Sequence, residues 1–118
     1  MKNAYSDGNL DSVISAFSKD NAPVPEEYLL AGIAFLEKNQ PTRAIETFQQ
    51  LIQHNTEAKT DFFEEDAEYY LAMSYLSNNE TEKAMSIFEK IQSDPEHPYN
   101  SQVSDWFVLN IRTLIAKK

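Results

Sequence analysis

A chain of 118 residues, 42% of them hydrophobic and none of them cysteine, is one domain's length with enough apolar material for a core, and it excludes disulfides, thiolate metal sites and cysteine nucleophiles. Its 19 acidic side chains outnumber 10 basic ones, for a formal charge of −9, so nucleic acid and direct membrane contact are disfavoured as partners of this segment. Two glycines are too few for a turn-rich β architecture and suit helices. No apolar run approaches the roughly 20 residues that span a bilayer. The N-terminal stretch MKNAYSDGNLDS has no hydrophobic signal core. The compartment stays open between cytoplasm and periplasm.

Taken in chain order, a short helix is expected over residues 2–7 and another over 10–19. Gly8 between them tolerates a left-handed backbone. The segment KDNAPVPEE, with Pro23 and Pro25, then breaks helix. Leu29, Leu30, Ile33, Ala34 and Leu36 recur at three- and four-residue steps and predict a helix over 25–38. Asn39 supplies a second left-handed position, and Pro41 opens a helix over 41–54 with Ala44, Ile45, Phe48, Leu51 and Ile52 on one face. HNTEAKTDFFEED is longer than a simple turn. Beyond it, Leu71, Ala72, Tyr75 and Leu76 predict a helix over 61–78. Asn79 is the third turn position, and Ala84, Met85, Ile87, Phe88 and Ile91 predict a helix over 81–92. SDPEHPYN separates a last helix over 99–116, where Val103, Phe107, Ile111 and Leu114 form a stripe able to cap the stack and Trp106 and Leu109 lean to the other side.

The segments repeat. Phe17, Phe48 and Phe88 each follow Val13, Ala44 or Ala84 by four residues, and these follow Gly8, Asn39 or Asn79 by five. Tyr28, Ala31, Gly32, Phe35, Ala44 and Phe48, and then Leu71, Ala72, Tyr75, Ala84 and Phe88, place large and small side chains in the pattern of a tetratricopeptide repeat, which the chain resembles over about residues 4–95. Glu68 stands where the second copy should have its first aromatic. Thr56 and Pro95 depart from the closing proline. The resemblance implies an all-α fold: a right-handed superhelix of antiparallel helix pairs with a C-terminal capping helix. It divides a single domain of residues 1–118 into a partial repeat 1–20, repeats 25–56 and 61–95, and an end helix 99–116. Gly32, Ala44, Ala72 and Ala84 are expected where neighbouring helix axes nearly touch, with Phe48 and Phe88 filling the gaps.

No catalytic set accompanies this layout. His54 and His97 have no His or carboxylate at a metal-binding helical spacing and read as surface histidines. No nucleophile elbow or phosphate loop surrounds the serines. The carboxylates of Asp61–Asp66 read as acids in a first helical turn, favoured by the helix dipole. Phe62 and Phe63 read as core anchors or a helix staple. No catalytic residue, cofactor or metal is expected, and the chain is not read as an enzyme.

Repeats of this family imply a concave groove lined by the first helix of each pair. By resemblance its outward positions are Glu26, Leu29, Ile33, Leu36 and Glu37, then Asp66, Tyr69, Met73, Leu76 and Ser77. With no basic residue among them, a clamp for a C-terminal carboxylate is not carried over. An apolar groove with an acidic rim is expected instead, for a protein or peptide partner, unless the chain's own end helices cover it. The expected role is a scaffold or adaptor. The alternative is a regulatory or sensory module of a larger multi-domain or membrane-tethered protein, self-associating as a homodimer through Trp106 and Leu109 on the end helix.

Overall fold

The structure, a computed structural model, describes residues 7–116, and within them the backbone is helix joined by short connections. In order these are α1 (Asp7–Lys19), α2 (Pro25–Glu37), α3 (Pro41–Ala58), α4 (Glu64–Ser77), α5 (Thr81–Gln92), a 3-10 turn (Asn100–Gln102) and α6 (Asp105–Ala116). Each helix packs on the next, and α2 also touches α4, so the first helices of successive pairs lie side by side. This is the helix-pair stack that the spacing predicts.

The two tight turns are copies of one another. Asn39 (φ 61°) and Asn79 (φ 64°) are both left-handed. Gln40 donates its N–H to the Phe35 carbonyl and Glu80 to the Tyr75 carbonyl, both at 2.8 Å, which stops the preceding helix. The Ala44 and Ala84 amides then close on the Gln40 and Glu80 carbonyls, both at 3.1 Å. Asparagine pays little for this backbone, and proline at the first position of α3 gives up an amide no helix would use.

Gly8 behaves differently from its two counterparts. It lies inside α1, so no left-handed turn forms there and the helix is continuous from Asp7. The expected helix over 2–7, with Ala4 and Tyr5, falls outside the described residues.

Packing follows the small–large alternation. Ala31, Ala34, Ala44, Ala67, Ala72 and Ala84 are wholly buried, as are Phe48, Phe88, Leu51 and Ile91. One cluster centres on Phe48 between α2, α3 and α4, and a second on Phe88 between α4, α5 and α6. Phe48 stacks on Tyr70 with centroids 6.1 Å apart, and Phe88 meets Phe107 edge-on at 4.9 Å. Asp11 pairs with Lys38 at 2.9 Å and ties α1 to the end of α2.

Three boundaries depart from expectation. α3 runs four residues past 54, because nothing in Asn55–Ala58 breaks it before Lys59 turns left-handed (φ 58°). α4 starts at Glu64, because Phe63 is also left-handed (φ 55°). The last helix is broken: after the 3-10 turn, Ser104 accepts the Phe107 amide on its hydroxyl at 3.1 Å and starts α6 afresh. Val103, just before the restart, is 1% exposed and joins the same cluster as expected. The buried face of α6 is Val108 and Ile111, with Phe107 and Ile115 packed beside them, while Leu114 is 49% exposed rather than part of the cap.

Candidate partner-binding surfaces

The ten outward positions on the first helices do not share one fate. Ile33 is 7% exposed and belongs to the core. α2 is enclosed by α1, α3 and α4, and a helix packed on three sides buries more than the single stripe its period suggests. Leu29, Leu36, Met73 and Leu76 are half-buried against the two core clusters, and Glu26, Glu37 and Ser77 are exposed. Tyr69 is half-buried under Tyr99, ring on ring at 4.3 Å and 8°. Asp66 accepts the Tyr99 hydroxyl hydrogen at 2.7 Å. The connection before α6 thus covers the Tyr69 end of the face.

That cover is held by a polar network that corrects the reading of His97 as a surface residue. Its side chain is 5% exposed. Nδ1 accepts the Tyr99 amide at 3.1 Å, so Nε2 carries the hydrogen shared with Glu68 Oε1 at 3.2 Å. The other Glu68 oxygen takes Lys90 at 2.5 Å. This explains the missing aromatic of the second repeat: Glu68 uses that position to bind the returning chain. His54, by contrast, is half-buried beside the Tyr28 ring, 5.9 Å away.

Burial, and then the Asp66 carboxylate, push the Tyr99 phenol well above its ordinary range. Burial, and then Tyr70, raise Tyr69. Both phenols are neutral when protonated and hold their protons longer folded than unfolded. Their contribution to stability is complete below the free-phenol value near 10 and is lost as pH rises above it. In an alkaline titration followed by phenolate absorbance, Tyr99 should ionise late, as the helices unfold, and Tyr99→Phe should remove that late contribution. Six phenols titrating together near pH 10 with helix content intact would contradict this packing.

The first helices have one sign of charge. α2 carries Glu26, Glu27 and Glu37, and α4 carries Glu64, Glu65, Asp66 and Glu68; neither contains Lys, Arg or His. The second helices are mixed, with Arg43 on α3 and Lys83 and Lys90 on α5. Partial desolvation pushes the Glu37 carboxyl up from its ordinary value.

Large apolar side chains in water, among the described residues, include a pair on α6 and a pair before α4. On α6, Trp106 is 72% and Leu109 62% exposed, on the side away from the core as expected. Phe62 and Phe63 are 55% and 38% exposed, so they are neither core anchors nor a staple. The left-handed backbone at Phe63 turns the pair outward before α4 begins. Sequence signals for this were weak, although Asn55 ahead of a lengthened connector is the residue that holds it. Among the described residues no group of three or more His, Cys, Asp and Glu is placed to hold a metal ion, and no helix is long and apolar enough to cross a membrane.

The family model described as "Tetratricopeptide repeat" matches residues 28–57 and 66–97, the two pairs α2–α3 and α4–α5. No curated protein and no solved structure matches the chain.

Proposed function

Since the chain belongs to the tetratricopeptide repeat family, whose repeats generally mediate protein–protein interaction, we propose that it is a non-catalytic scaffold or adaptor module whose first-helix face takes a cationic, amphipathic peptide or helix. The observation that carries this reading is the charge segregation: seven carboxylates and no base on α2 and α4, around half-buried Leu29, Leu36, Met73 and Leu76. Apolar side chains of the partner would rest on these four, and its Lys or Arg side chains would meet the exposed Glu37, since Glu27, Asp66 and Glu68 are already bound within the fold. Tyr69 supports the face from beneath Tyr99, and Ile33 supports it from the core. A synthetic Leu- and Lys-rich amphipathic helix should bind the full chain with strong salt dependence. Glu37→Lys with Met73→Ala should weaken it about tenfold, about 1.4 kcal/mol. Unchanged affinity in that variant would remove the first-helix face from the account.

A second reading rests on Trp106 and Leu109, whose exposure is unusual for large apolar side chains side by side on one helix face. In it the module acts in regulation by self-association through α6. Sedimentation would then show a dimer that Trp106→Ala with Leu109→Ala dissociates. A monomer at every concentration would leave the first reading alone.

A further inference from the structure

At the edge of the stack, where α2 and α4 begin, Val24, Pro25, Glu26, Phe62 and Phe63 enclose a shallow recess of about 180 Å³. Its surface is apolar, with Val24 54% exposed beside the two phenyl rings. The loop that presents the rings is built for rigidity. Asn55, 1% exposed, donates its side-chain amide to the Phe62 carbonyl at 2.8 Å and accepts the Thr60 hydroxyl at 2.9 Å. Its own carbonyl accepts the Thr60 amide at 2.9 Å. Lys59 and Phe63 both sit in the left-handed region, which a bulky side chain disfavours. A buried polar anchor and an unfavourable backbone together keep two large rings in water.

The rim decides what the recess would hold. Glu26 lines it directly, and Asp61, Glu64 and Glu65 are exposed on either side of the phenylalanine pair. Glu27 is occupied by the Val24 amide at 2.9 Å. Residues 20–37 contain no Lys or Arg, and residues 55–68 contain only Lys59, at the far end of the turn. A second copy would set carboxylates against carboxylates.

We infer that this recess is a docking site for an extended peptide segment of a partner protein, carrying one large apolar side chain flanked by Lys or Arg. The apolar side chain enters between Val24 and the phenyl rings. The flanking cations meet Glu26, Asp61, Glu64 and Glu65. The recess shares Glu26, Glu64 and Glu65 with the acidic first helices but none of the four apolar side chains of their face, Leu29, Leu36, Met73 and Leu76, and does not require them.

The test uses the full chain and a labelled peptide with a single Leu between Lys-Lys pairs, kept extended by flanking prolines, read by fluorescence anisotropy. The variant is Phe62→Ser with Phe63→Asn. Asparagine accepts the left-handed backbone, so thermal stability should be retained or raised while peptide affinity falls about tenfold or more. Glu64→Gln with Glu65→Gln should weaken binding and flatten its salt dependence. The same peptide with Glu in place of Lys should not bind. Glu37→Lys with Met73→Ala should leave this affinity unchanged, which separates failure here from failure of the first-helix face. Equal binding of the acidic peptide, equal binding by the Phe62 and Phe63 variant, or a dimer that this variant dissociates would each overturn the assignment.

Discussion

Phe48→Ala should cost the protein about 3–5 kcal/mol, as expected when a buried phenyl ring is deleted and its cavity only partly collapses. Phe48 is wholly buried between α2, α3 and α4 and stacks on Tyr70. A domain of this size is stable by roughly 5–15 kcal/mol, so about a fifth or more of the margin would go. The melting temperature should drop by more than about 10 °C. Urea unfolding should show an earlier midpoint with little change in slope. Phe48→Leu, which keeps most of the volume, should lose much less. A loss below about 1 kcal/mol for Phe48→Ala would mean that the ring does not join the two repeats as described.

Gly32→Val should be the next most damaging change, and the reason is the same ring seen from the other side. A Cβ at Gly32 would stand 2.5 Å from Cε1, 2.6 Å from Cζ and 2.9 Å from Cδ1 of Phe48. The ring is enclosed and cannot retreat without moving α3 or α4. Overpacking of this kind costs about 1–3 kcal/mol and sometimes more, against a gain of only a few tenths from leaving glycine's helix penalty. The second repeat shows how local the constraint is: Ala72 occupies the matching position, forty residues on, and is wholly buried opposite Phe88. One seam is a methyl group wider than the other. Gly32→Val combined with Phe48→Leu should therefore lose less than the two single changes added together, with a coupling of about 0.5–3 kcal/mol. Strict additivity would show that the new methyls meet something other than the ring.

Both changes act on features legible in the chain as written. Asn39 and Asn79 mark left-handed stops, Pro41 marks a start, and Ala44, Ala84, Phe48 and Phe88 mark the seam, because each acts on neighbours within a turn or two of helix. The restart at Ser104 is just as local, a serine whose hydroxyl reaches an amide three residues on, yet the expected helix over 99–116 ran straight through it. Gly8 misled for the opposite reason. Glycine permits a left-handed turn but does not require one, and α1 runs through it.

The candidate surfaces were legible only in outline. The positions on α2 and α4 and their acidic character could be placed from spacing and resemblance, but which of them stay in water could not. Ile33 sits within a helical stripe like its neighbours Leu29 and Leu36, yet only Ile33 is closed off, because three helices pack around α2. His97 lies between prolines in a stretch that reads as a polar turn, and it is buried because Glu68, almost thirty residues earlier, binds it.

Sequence alone determined that this protein is paired helices stacked on small-residue seams, since helix stops, starts and close approaches depend on short-range backbone and steric preference. The outward lean of Trp106 and Leu109 followed from the stripe, but tertiary structure alone decided that Ile33 is closed off and that the phenylalanine pair before α4 faces solvent. Phe62 and Phe63 are as hydrophobic as Phe48, but Asn55 and a left-handed backbone turn them outward. Burial depends on how many neighbours close around a position, and periodicity records only which face a residue shares.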